Sequence, residues 1–339
     1  VTPTRGTAER PLARAVPYLT GGLLLLGAAV VCSVAIGSKA LGVGETLQAL
    51  TGAGVDESAT IVREVRLPRT LLGLVTGAAL GVAGALIQAL TRNPLADPGI
   101  LGVSAGAGFS VTLGVAFLGL TGVQAHLWLA FLGAAAVTVL VYLVGALGRS
   151  GTNPTRLVLV GVALSAVLAG IQSGLTLLNP RVLDGMRAWA AGSLAGSDPE
   201  ATRHVIPFVL AGLALAVWVA PAFNAVAMGE DLSRSLGVNL TVVRVLTVAA
   251  VTLLTGGATA LAGPIMFLGL MVAHIARYVA GPDHRWILPV SLLLGPLVLL
   301  SADVLARVVV WPGELPVGVV TAFLGAPLLI VLIRHRGPT

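Results

Sequence analysis

A succession of long apolar runs restricts this chain more than any other feature. They fall near residues 17–37, 69–90, 99–120, 126–148, 156–178, 204–222, 242–262, 264–281, 287–306 and 315–333. A helix needs about 20 mostly apolar residues to cross the hydrocarbon core of a bilayer. Backbone polar groups inside lipid must be satisfied within the segment, which helices achieve. The expected fold is therefore an all-α polytopic membrane protein of about ten transmembrane helices. The weakest boundary lies between the seventh and eighth runs, where "GGATALAGPIMF" (256–267) leaves only a Gly/Pro break. The domain expectation is a cytoplasmic tail over 1–16, one transmembrane domain over 17–334 and a cytoplasmic tail over 335–339.

Composition supports the membrane reading. Charged residues make up 10% of the chain, against about 25% in an average soluble protein. Glycine counts 43 and aromatics reach only 4%, a mix that suits close helix packing in lipid. The net charge of +6 does not indicate nucleic acid, because the basic residues are scattered at segment ends. Cys32 is the single cysteine, so no disulfide and no thiolate metal cluster can form within the chain. Arg5, Arg10 and Arg14 precede the first run like the n-region of a signal peptide. The run itself, about 20 residues long, fits a span better than an h-region of about 7–15.

An even number of spans puts both termini on one side. Arg92, Arg149, Arg156, Arg234 and Arg244 then fall in connections on that side, which is expected to be cytoplasmic. Lys39, Arg63, Arg66, Arg181, Arg187 and Arg203 cluster in two long connections on the other. The second of these, 179–203, contains a candidate short helix at Asp184–Leu194.

Several chemistries are absent. No G-x-x-x-x-G-K-[ST] phosphate loop occurs, and Lys39 in "GSKALG" does not match one. No H-E-x-x-H occurs either. "GVSAG" (102–106) has the spacing of a nucleophile elbow but opens a membrane helix, so catalysis by Ser104 is not expected. The chain is therefore expected not to be an enzyme. Ionisable groups within spans mark ion pathways, and they are few here: His274, Arg277, Asp303 and Arg307, all near span ends. That argues against the alternative of an ion-coupled secondary transporter. Gln88 and Gln172 read as interhelical hydrogen-bond donors.

Three stretches stand out. "LTRNPLADPGILGVSAGAG" (90–108) places Asn93 before Pro94 and Asp97 before Pro98. Asn and Asp cap free backbone N–H groups, and proline is tolerated at the first helical position. The stretch reads as two successive helix starts, with the third span beginning at Pro98, either in a plain loop or in a working part. "MGEDLSRSLGVNL" (228–240) reads as a short amphipathic helix. Leu232 and Leu236 share a face, Glu230 and Asp231 sit in the first turn, Arg234 follows, and Gly237 is a natural C-cap. Such a helix lies on lipid or docks in a soluble partner. "REVRLPRTLLG" (63–73) puts Arg66 and Arg69 around a proline before the second span, with Arg307 at the same end of the ninth. These arginines either snorkel to headgroups or form a cationic rim for an acidic partner.

Together these residues resemble the FecCD family, the permease subunits of type II ABC importers for ferric siderophores, haem and vitamin B12. The resemblance runs through "RLPRTLLGLVTGAALGVAGALIQALTRNPLADPGILGVSAGA" (66–107), "GEDLSRSLGVN" (229–239), "AGPIMFLGLMVAHIAR" (262–277) and "ELPVGVVTAFLGAPLLIVLIRH" (314–335). It implies the type II permease fold of ten helices per subunit in a bacterial cytoplasmic (inner) membrane. A second permease subunit, as a homodimer or a close heterodimer, encloses a central path. Two ATPase subunits lie below and an extracytoplasmic substrate-binding protein docks above. This chain then binds no cofactor of its own, since ATP and Mg belong to the ATPases. By resemblance, Gly229, Glu230, Asp231, Leu232, Arg234, Leu236 and Gly237 form the helix that couples to the ATPase. Asn93, Pro94 and Leu95 form a translocation gate at the inner exit of the path, and Pro154 and Thr155 match a second gate region less closely. Arg66, Arg69 and Arg307 pair with acidic residues of the binding protein. Ferric siderophore is the substrate favoured over haem or cobalamin.

Overall fold

Asx–proline pairs punctuate the fold. Asn179 accepts the Arg181 N–H ahead of Pro180, and Asp198 accepts the Glu200 N–H ahead of Pro199. Asn239 and Asp283 cap further helices through the N–H groups of Thr241 and Arg285. Each side chain satisfies a donor that a helix start leaves orphaned. The computed structural model describes residues 11–37, 41–51, 57–147 and 154–335. Arg5, Arg10, Lys39, Arg149 and Arg336 of the charge reading lie outside the described residues, as do most of the two expected tails.

The elements in order are α1 (Pro11–Ala35), α2 (Val43–Thr51), α3 (Glu57–Thr60), a π-helical stretch (Ile61–Arg66), α4 (Leu67–Thr91), a 3₁₀ turn (Pro98–Leu101), α5 (Val103–Leu118), α6 (Val123–Ala146) and α7 (Pro154–Leu178). There follow α8 (Pro180–Ala190), α9 (Pro199–Ala227), α10 (Glu230–Ser235), α11 (Leu240–Ala262), α12 (Leu268–Ala280), α13 (His284–Val308) and α14 (Val317–His335). Among the described residues seven helices are long and apolar enough to cross a membrane. The shorter apolar segments Val103–Leu118, Leu268–Ala280 and Val317–Val331 occupy the other three expected spans.

Some boundaries differ from the sequence reading. α1 begins at Pro11, ahead of Pro17. The second span continues back without a break to Glu57, because the π-helical stretch re-registers the ladder just before Pro68. α8 begins at Pro180 rather than Asp184, set by the Asn179 cap. The break between the seventh and eighth spans is real: Gly263 has φ +72° and Phe267 has φ +65°, so 263–267 cannot continue a right-handed helix.

α4 is the central helix, packing against α13, α11, α12 and α9. Its glycines make this possible. A methyl group added at Gly77 would lie 2.5 Å from Pro296 Cα, and one at Gly81 would lie 2.6 Å from the Ser291 oxygen, both on α13. Small residues let helix backbones meet in this way. α1 lies along α13, where Gly22 approaches Leu293 and Arg307 reaches Ser33, so the two helices run parallel. The starts of α1 and α13, the ends of α4 and α9, and α10 all share one end of the bundle.

Candidate functional site

At the α10 end, α4 terminates on Arg92, whose left-handed backbone (φ 51°) turns the chain out of the helix. Asn93 Oδ1 accepts the Leu95 N–H at 3.0 Å, and the Asn93 carbonyl accepts the Ala96 N–H at 3.1 Å. These bonds close a turn that leaves Asn93 and Leu95 exposed. The turn is anchored from behind: Gln88, 2% exposed, donates to the Ala96 carbonyl at 3.2 Å and contacts Arg277 of α12. Gln88 thus works between helices, as its sequence position suggests.

Asp97 caps as expected, accepting the Gly99 N–H at 2.9 Å, but it starts only the turn Pro98–Leu101. The third span does not begin at Pro98. Gly102, at φ 77°, interrupts the right-handed path, and α5 starts at Val103. Desolvation at this packed turn raises the Asp97 carboxyl above the ordinary carboxylate range. The N–H groups of Gly99 and Phe267 oppose that shift. Asp97 therefore ties the turn to the break before α12.

Pro154 and Thr155 lie at the start of α7. Pro154 and Arg92 line one small cleft with Val226 and Arg244, so the end of α4 and the start of α7 come to the same end of the bundle. Thr155 is exposed beside it. A wider cleft of about 510 Å³ opens between α7 and α8, lined by Gln172, Ser173, Thr176 and Arg187 among others.

The short helix α10 matches its sequence reading closely. It spans Glu230–Ser235, preceded by Gly229 at φ 115° and followed by Leu236 and by Gly237 at φ 80°. Leu232 and Leu236 are 47% and 59% exposed, so this apolar face is not spent on the chain's own core. Asp231 and Arg234 lie on its surface, 3.9 Å apart. Ser233 is fully buried, its hydroxyl between the Gly229 and Ala225 carbonyls at 2.6 and 2.8 Å.

The arginines at the opposite end overturn one expectation. Arg66, Arg69 and Arg307 do not form an open cationic rim; they are 4%, 5% and 2% exposed. Arg69 Nη2 donates to Asp303 Oδ1 at 2.8 Å and Nη1 to Glu314 Oε2 at 2.6 Å. Arg307 also pairs with Asp303, one turn away on α13. Arg307 donates to the carbonyls of Ser33 and Ile36, and Arg66 to those of Val34 and Ala35. The last carbonyls of α1 have no helical partner and carry the negative end of the helix dipole. Buried guanidinium groups therefore turn inward to meet them. Asp303 and Glu314 were missed as partners, although the Asp303–Arg307 spacing of one turn was readable.

The model of the FecCD transport family matches residues 24–335. The ferric enterobactin transport system permease protein FepD of Escherichia coli (strain K12) is 49% identical over 332 residues, covering 98% of each chain. The probable siderophore transport system permease protein YfiZ of Bacillus subtilis (strain 168) is 39% identical, covering 92% of this chain and 94% of its own. Among solved structures, a metal-chelate type ABC transporter in an inward-facing conformation superposes with a TM-score of 0.82. It is 28% identical and covers 94% of this chain and 99% of its own.

Proposed function

The chain belongs to the FecCD transport family, and we propose that it is the membrane permease subunit of an ATP-driven importer that carries a ferric siderophore into the cytoplasm. The observation that carries this reading is the 49% identity to a ferric enterobactin permease along 98% of both chains. The polytopic helical fold supports an integral place in the inner membrane.

In this reading α10 faces the cytoplasm and inserts Leu232 and Leu236 into an ATPase subunit, which holds ATP and Mg. Gly229 and Gly237 bound the helix, and Glu230, Asp231 and Arg234 supply its polar face. Asn93, Pro94 and Leu95, with Pro154 and Thr155 beside them, gate the cytoplasmic exit. A second permease subunit completes the path, and the cleft between α7 and α8, where Gln172, Ser173, Thr176 and Arg187 lie among Leu177, Leu183 and Met186, supplies part of its wall. Arg66, Arg69 and Arg307 serve binding-protein docking indirectly. Arg69 fixes the connection between α13 and α14 through Glu314, while Arg66 and Arg307 fix the end of α1 beside it.

The test is reconstitution in vesicles with the partner ATPase and binding protein. Uptake is measured for ferric enterobactin, a ferric hydroxamate, haem and cobalamin. ATP-dependent uptake of a ferric siderophore is expected. Uptake driven by a proton gradient without nucleotide, or of haem or cobalamin alone, would overturn the reading.

A further inference from the structure

The last turn of α9 is held from three sides. The Ser233 hydroxyl of α10 lies 2.8 Å from the Ala225 carbonyl and 2.6 Å from the Gly229 carbonyl, and shares its one proton between the two acceptors. Arg92, the residue that opens the Asn93–Leu95 turn, donates to the adjacent carbonyl, that of Val226, at 3.3 Å. Asn224 donates to Asp283 at 2.6 Å and accepts the His284 N–H at 2.9 Å, which joins the same turn to the start of α13. Pro221 stands inside α9 just before this segment. Proline removes one bond of the helical ladder, and helices bend at such points. Residues 222–227 lie beyond that missing ladder bond, at the free end of α9, and can act as a short lever.

We propose that Ser233 and Arg92 are positioning residues that carry displacement of α10 to the Asn93–Leu95 turn through the last turn of α9. The inference rests on the reading of α10 as the ATPase contact and of Asn93–Leu95 as a gate. A helical turn does not stretch appreciably, so a shift imposed at the Ala225 carbonyl moves the Val226 carbonyl with it. Ser233 has no exposed surface, so its hydroxyl is enclosed between the Gly229 carbonyl at the start of α10 and the Ala225 carbonyl of α9 and is not open to a partner. On the other side, Arg92 combines a left-handed backbone with a side chain anchored on the lever. Few non-glycine residues adopt that backbone. Movement of the Val226 carbonyl is thereby applied to the residue next to Asn93. α13 receives the same movement through Asn224, so the lever addresses the turn and the helix packed on α4 together.

The experiment uses the reconstituted complete transporter with the four-compound panel named above, measuring uptake and ATP hydrolysis together. Arg92→Ala is expected to assemble with the ATPase and hydrolyse ATP as the wild type does. Substrate moved per ATP should fall roughly 2- to 30-fold, the range for residues that carry coupling. Ser233→Ala should show the same signature. The double variant should be no worse than the poorer single one, because both act in one link. A wild-type transporter without ATP-dependent uptake of any panel compound would sink the transport reading itself. A working wild type beside variants with unchanged uptake per ATP overturns the lever alone. Parallel loss of hydrolysis and uptake in an assembled complex overturns it as well. Should R92A not reach the membrane, S233A, which removes a single hydroxyl, decides the matter.

Discussion

Arg69 and Asp303 are 234 residues apart in sequence, yet their side chains meet 2.8 Å apart in the interior. The contact joins the start of α4 to the end of α13. Asp303 also pairs with Arg307, so one fully buried carboxylate answers two guanidinium groups.

Asp303→Ala leaves both arginines without their buried carboxylate. Breaking a buried pair from one side costs about 3–5 kcal/mol. Thermal unfolding in detergent is expected to show a loss of that order, while Glu314→Gln, at the part-exposed end of the network, costs less. High salt should not reproduce the effect, since buried pairs are poorly screened. Strong salt sensitivity of the wild-type melting temperature would argue that the network is open to water.

Gly77→Leu drives a side chain into the backbone of α13 at Pro296. Overpacking a tight contact costs about 1–3 kcal/mol or more. The expected outcome is a lower melting temperature and poor accumulation in the membrane. Gly119→Ala tests a different cost: nothing lies near its side-chain position, but its φ of +64° favours glycine. The variant should lose only about 1 kcal/mol, so a larger loss than G77L would contradict the packing argument.

Leu232→Asp and Leu236→Asp change side chains that this chain leaves exposed. Stability should shift by no more than about 0.5 kcal/mol. ATPase co-purification should nevertheless fall sharply, because truncating a central apolar contact costs about 2 kcal/mol or more in binding. Unchanged co-purification of both variants would remove α10 from the ATPase contact.

Asp97 makes a pH-dependent contribution of unusual sign. Burial raises its carboxyl above the ordinary range, so the folded state holds the proton more tightly than the unfolded chain. Its charged form is a cost at neutral pH, and that cost shrinks as pH falls through the raised value. Asp97→Asn keeps an acceptor for the Gly99 N–H without the charge. The stability of D97N relative to wild type should be greatest at neutral pH and smaller at acidic pH, as measured by melting at a series of pH values. A difference that grows on acidification would mean that the charge is stabilising.

What could be read from the sequence follows the range of the forces involved. Apolar run length, an Asx before a proline and a glycine after a short amphipathic stretch act within a few residues. Accordingly the spans, the capping role of Asp97 and the extent of α10 follow from local sequence, while the Asn179 cap that starts α8 at Pro180 was passed over. The start of α5 was displaced because the stretch 99–108 holds several glycines and nothing local says that Gly102 takes the left-handed turn. The orientation of Arg66, Arg69 and Arg307 was hidden for a different reason. An arginine at a span end looks the same in sequence whether it reaches out to headgroups or turns in to cap α1. The choice depends on Asp303, Glu314 and Ser33, which only the folded chain brings near. Arg92 was read as one more inner-side charge, and its bond to Val226 joins residues 134 positions apart.

The unequal burial of the spans divides the chain into parts with different freedom to vary. The most apolar window of the helix ending in α4 is 78% buried, whereas that of α7 is only 17% buried. A substitution on α4 meets neighbouring backbone almost wherever it falls. One on the outward side of α7 meets little that the fold depends on. Substitutions spread along α4 are therefore expected to cost this chain more stability than substitutions on the outward side of α7.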